Sequence, residues 1–228
     1  MPAYHSKFNE LEGVRSIGGV SILPLKALNS KGVATHADEN EKDVVDETLE
    51  YFRANMLFTT FDIQGDADRL LIYLTSFAAQ CIKAVAKEKI ATKEDGAKFL
   101  HGLATKRFPL PGDSNFLPGL GHFFGKHNIP TQCTSARCCA VFFVGANLLF
   151  VFLRHSSSTL FFFRARKKKE KPSSKSNADF LKQYFQQLRQ ELTARLCERI
   201  FNEDGTPNKW WMAYSKRNFM GQKDSKKK

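Results

Sequence analysis

Apolar residues recur at helical spacing along most of this chain, and five stretches of that kind predict five helices. Asp43 opens the first, predicted over 43–57: Asp43 and Asp46 form a capping-box-like pair, and Val45, Leu49, Phe52 and Met56 follow as one stripe. The second, 66–88, starts at the Gly65-Asp66 turn. Its apolar positions, from Leu70 through Phe77 and Cys81 to Val85, lie around nearly the whole circumference. A helix apolar on all sides is packed on all sides, so this one is predicted to be central and the most buried. Arg69, Gln80 and Lys83 interrupt it too often for a membrane span.

Thr92 and Asp95 cap a third helix, 93–106, which must stop before Pro109. The "FPLPGDSNFLPG" that follows predicts a wrapping loop. Asn177 opens the fourth helix, 177–201, with Leu181, Tyr184, Phe185, Leu188, Leu192, Leu196 and Ile200 inside and Lys182, Gln186, Arg189, Gln190 and Arg195 on the other face. Thr206-Pro207 restarts a fifth, 207–219. Before the helices, "GGVSILPL" (18–25) reads as an extended segment on the core or a short edge strand. The expected fold class is all-α: about five helices, one central and the others around it, plus an irregular inserted segment.

That insertion is visible in the charge. The 228 residues carry a formal +12, yet residues 119–175 hold ten Lys/Arg against one acid, leaving 25 basic and 22 acidic residues elsewhere. A chain so nearly balanced outside one segment gives no general case for nucleic-acid binding. The segment also holds the "AVFFVGANLLFVFL" run (140–153) and the "RARKKKEK" cluster. The expected division is 1–117, first part of the helical domain; 118–175, atypical insertion; 176–222, C-terminal helices of the same domain; 223–228, basic tail.

The candidate chemistry is sparse. There is no phosphate loop, dinucleotide turn or nucleophile elbow. His5, His36 and His101 read as ordinary surface histidines, and Cys81 and Cys197 as small buried hydrophobes. No catalytic residue, cofactor or metal is expected. The first ten residues lack a signal-peptide core, which points to the cytoplasm. Trp210 and Trp211 are adjacent, and adjacent helical side chains point about 100° apart, so one can be core while the other faces outward. With Lys216 and Arg217 they are the candidate partner-binding residues.

Six blocks, "MPAYHS", "DVVDETLEYFRAN", "ADRLLIYLTSF", "FPLPG", "FQQLRQELTARLCERIF" and "NKWWMAYSKRNFM", together resemble the subunit 3 family of the actin-related protein 2/3 complex, its small all-helical subunit. The resemblance covers residues 1 to about 117 and about 176 to 222. It implies a non-catalytic scaffold that docks on an actin-like subunit, contacts other subunits of the complex, supports nucleation of branched actin filaments, and meets the filament only indirectly. It implies no cofactor of its own and a cytoplasmic, cytoskeletal location. The chain departs from the family in the inserted segment. There, a membrane span would need about 20 apolar residues, and would put halves of one core on opposite sides of a bilayer. A metal site from His122, His127, Cys133 and Cys138 has too short a spacer between its pairs. A membrane-surface adaptor using the Phe and Lys clusters is the alternative function. The preferred reading takes the segment as foreign to the fold, a retained intron or gene-model artefact, because it combines homopolymeric runs with a lack of acids, caps and periodicity.

Overall fold

A computed structural model of the chain describes residues 4–26, 32–38, 40–58, 60–113, 116–117, 120–124 and 174–221. The chain divides into two units, Met1–Ile129 with Lys175–Lys228, and Pro130–Ser174, and the described residues belong, Ser174 apart, to the first. The expectations for the 140–153 run, and for His127, Cys133 and Cys138, lie outside the described residues.

The fold is mostly helical. Its helices are α1 (Val44–Asn55), α2 (Asp66–Lys87), α3 (Lys93–Thr105), α4 (Ser174–Ile200) and the short α5 (Lys209–Met212). One departure from all-α is a two-stranded antiparallel hairpin, β1 (Ser16–Ile17) and β2 (Val20–Ser21). Gly18 and Gly19 join the strands with φ of 63° and 76°. Two consecutive positive φ values are what a two-residue hairpin turn requires, and glycine reaches them without steric cost. The chain then runs across α4, where the Tyr184 hydroxyl accepts from the Leu23 amide (2.9 Å) and donates to the Leu23 carbonyl (3.2 Å).

Helix α1 begins where the sequence predicts. Asp43 accepts from the amides of Val45 (3.1 Å) and Asp46 (2.9 Å), and Val45, Leu49, Phe52 and Met56 are buried. Asp46 does not complete a capping box; its carboxylate turns to Lys26 and Arg195. Helix α2 is buried all round, with Leu71 and Leu74 fully enclosed and Phe77 nearly so. It packs on α1, α3, α5, β2 and the N-terminal 3-10 turn Lys7–Glu10. By length and apolarity it would suffice to cross a bilayer, contrary to the sequence reading, but 72% of its most apolar stretch is buried inside the protein. Burial against protein is what a central soluble helix and a span do not share.

The N-terminus of α2 is completed from a distance. Its N-cap is Gly65, which has no side chain to offer the first turn. The Asn9 carboxamide occupies the space a Gly65 β-carbon would need and accepts from the Asp68 amide (3.3 Å). Asp68 in turn binds the His5 ring (2.8 Å) and the Ser6 amide (2.7 Å), while Glu47 of α1 binds the Ser6 hydroxyl (2.7 Å) and the Lys7 amide (2.8 Å). His5 is therefore a half-buried clasp and not an ordinary surface histidine. Burial raises the Glu47 carboxyl above its ordinary range, more than these donors lower it.

Helix α4 corrects the picture of a single central helix. Its apolar stripe is buried as expected, but so are Gln187, Arg189, Glu191, Thr193 and Arg195 from the face predicted to be solvated or left unassigned. Arg195 donates to Asp43 (2.7 Å), to Asp46 (3.0 Å) and to the Lys26 carbonyl (2.6 Å), and Glu191 lies 3.6 Å away. Burial alone would raise Asp46, yet Lys26 and Arg195 hold it below the usual carboxylate range. Arg189 lies between the rings of Phe77 (3.8 Å) and Phe108 (4.7 Å) and donates to the Leu103 (2.8 Å) and Ala104 (3.2 Å) carbonyls. It thus supplies the cation that α3 lacks in its own last turn.

The core also continues past the expected boundary at 117. Leu120 and Phe124 are buried, Phe124 meets Phe116 edge-on (4.8 Å), and the Phe123 carbonyl accepts from Arg69 (2.8 Å). Residues 120–124 are thus part of the packed body and not foreign to it.

Candidate partner-docking surface

The C-terminal segment reverses direction after α4 through a tight turn. Phe201 bridges Pro207, and the Asn208 amide donates to the Ile200 carbonyl (2.6 Å). Asn208, not Thr206, caps the next helix: its side-chain oxygen accepts from the amides of Trp210 (3.0 Å) and Trp211 (3.5 Å). The predicted 207–219 helix is only Lys209–Met212, continued by a 3-10 turn over Ala213–Lys216 and then an extended Arg217. Pro207 is spent on the bridge to Phe201, which leaves the helix to start at the better cap.

The two tryptophans separate as adjacent helical residues must. Trp211 is buried and stacks on Phe52 of α1 (5.4 Å, 20° between planes), with Tyr214 edge-on to the same ring (5.7 Å). Trp210 faces outward and is 72% exposed, the most exposed of the large hydrophobic side chains among the described residues. Lys216 and Arg217 are exposed as well. No hydrogen bond, ion pair or ring contact joins Trp210 to either cation among the described residues. Instead Asn218 beside them receives Lys83 from α2 (2.6 Å), and Phe219 is buried, so both ends of the segment are pinned. Three of the four candidates thus share one exposed, firmly seated segment, and Trp211 is its foot in the core. Phe52, Tyr214 and Asn208 hold the segment: the sequence marks Phe52 as a core position of the first helix without showing that it seats Trp211, and Asn208 carries the local signal of a good N-cap residue ahead of an apolar pair.

Little here suits bond-making chemistry. Among the described residues no group of three or more His, Cys, Asp or Glu side chains is placed to hold a metal. The buried Cys81 thiol is pushed up to about 12 by burial, the opposite of an activated nucleophile. A helical body with an outward aromatic on a segment pinned at both ends fits the class of structural subunits.

Comparison with known proteins narrows that class. The family model described as P21-Arc, the ARP2/3 complex ARPC3 (21 kDa) subunit, matches residues 1–133 and 157–223. Actin-related protein 2/3 complex subunit 3 of Dictyostelium discoideum is 36% identical over 219 residues, spanning 95% of this chain and 97% of the relative. The subunits of the same name from Arabidopsis thaliana (32% over 218 residues, 95% and 96%) and Schizosaccharomyces pombe (32% over 221 residues, 96% and 98%) match comparably. The chain belongs to the P21-Arc family of ARP2/3 complex subunits, a structural and non-catalytic family whose members have the other subunits of the complex as partners. The membrane-surface adaptor alternative finds no support in these matches. The family match leaves out residues 134–156, which contain the 140–153 apolar run.

Proposed function

We propose that this chain docks on an actin-like subunit of the complex through the Trp210 segment, with Lys216 and Arg217 alongside, and so helps to hold the arrangement from which branched filaments are nucleated. Its contact with the filament is indirect and its place is the cytoplasmic cytoskeleton. The observation that carries this reading is the pairing of a 72%-exposed Trp210 with a Trp211 locked on Phe52. A large aromatic held outward on an immobilised backbone loses little entropy on binding, which is the character of an interface hot spot.

The test compares the neighbours. Trp210→Ala should leave the folding free energy within about 0.5 kcal/mol and weaken incorporation into a reconstituted complex by about 30-fold or more. Trp211→Ala should instead destabilise the free chain by about 3–5 kcal/mol. Unchanged incorporation of the Trp210 variant would remove the proposed docking role.

A further inference from the structure

Beside the Arg189 clamp, α2 and the end of α3 leave a cleft of about 390 Å³. Its accessible floor is apolar, with the half-buried Ala84 of α2 and Leu103 of α3 and the enclosed Phe77 beneath. Its edge is cationic: Lys106 and Arg107 are exposed and make no ion pair among the described residues. The Arg189 guanidinium lines the cleft too, with hydrogen bonds already made to Leu103 and Ala104. No acidic side chain is among the described residues that line it.

We infer that this cleft receives an acidic segment of a neighbouring subunit, one apolar side chain entering over Ala84 and Leu103 while flanking Asp or Glu carboxylates meet Lys106 and Arg107. The inference rests on the complex-subunit reading and adds a second contact that shares no residue with the Trp210 segment. Complementary charge selects the occupant, because an acidic segment gains from two cations that a neutral or basic one would leave unpaired. The apolar floor argues for a peptide over a free anion: a small hydrated anion would leave the half-buried Ala84 and Leu103 uncovered, whereas a segment with an apolar anchor covers both.

The test uses the reconstituted complex and a zero-length carbodiimide, which joins an amine only to a carboxylate in direct contact. Lys106 should be recovered joined to an Asp or Glu of another subunit, in a peptide that also carries an apolar residue. Lys106→Glu with Arg107→Glu should weaken incorporation at least tenfold at low salt, with the loss shrinking as salt screens the contact. Assembly with Lys106 still freely modified, or joined only to its own chain, overturns this inference and leaves the complex-subunit reading standing. Failure of the unaltered chain to assemble overturns both.

Discussion

Helices α2 and α4 are both enclosed by the fold, yet by opposite means. Along α2 from Leu70 to Val85 the buried contacts are mainly apolar, and tolerance of shape is the rule there. Around α4 one face is apolar, and Arg189 and Arg195 beside it are buried because each finds several fixed acceptors. Buried apolar contact is graded and forgiving, whereas a buried charge is acceptable only with its partners in place. The same degree of burial therefore means different things in the two helices.

The largest effect should come from swaps that keep bulk and change only polarity. Arg195→Met is expected to cost about 3–5 kcal/mol, since Asp43 and Asp46 are left facing an apolar chain, while Leu74→Met costs under about 1.5 kcal/mol. Denaturant midpoints of the two variants decide it, and similar losses would erase the distinction. Next in size is Arg189→Lys. Lysine keeps the charge but not the planar fork that lies between Phe77 and Phe108, so a loss of about 1–3 kcal/mol is expected. Hydrogen exchange should quicken in the last turn of α3; unchanged exchange there would mean charge alone suffices.

Smaller again are the pH effects. Asp46 is held below its ordinary range, so its contribution is present above the ordinary carboxylate pKa of about 4 and is lost as pH falls through the folded value. Glu47 is raised, so its contribution is full below the ordinary value and is lost as pH rises through the folded one. Asp46→Asn should flatten the acid side of the stability profile, and Glu47→Gln the side just above it. Urea midpoints measured at closely spaced pH values would show whether these two neighbours on α1 do act in opposite directions. The least effect belongs to deletion of residues 134–156, for which the melting temperature should move by only a few degrees, since doubling a loop costs about 0.6 kcal/mol. Extending the deletion to 118–156 removes Leu120 and Phe124 as well and should cost at least about 3 kcal/mol. Equal behaviour of the two deletions would show that residues 120–124 do not contribute to the core.

What the residues made legible follows the same contrast. The all-round apolar pattern of α2 and the caps Asp43 and Thr92 are local, and they placed α1, α2 and α3 to within two residues at each end. Periodicity also found the inner stripe of α4. It could not show that Arg195 is buried, because Asp43 lies 152 residues away and no local pattern joins them. The boundary at 117 was misplaced for a related reason: the composition break is real, but Leu120 and Phe124 look alike whether they pack or not. The hairpin carried a signal in Gly18-Gly19, yet strands of two residues have too little alternation to separate from an extended strap. Of the proposed docking surface, the divergence of Trp210 from Trp211 follows from helical geometry alone, whereas the Phe52 platform depends on α1 lying beneath it.

The loan of Asn9 to the start of α2 has a consequence in the order of synthesis. Residues 4–9 leave the ribosome before Gly65 does, so the side chain that completes the first turn of α2 is already waiting when that turn forms. The N-terminal turn of α2 is therefore satisfied by chain that is already made, before the downstream elements that bury the rest of the helix. A change that delays or ties up the first ten residues, such as a bulky partner fused to the N-terminus, would act on this early step while leaving every contact of the finished fold in place.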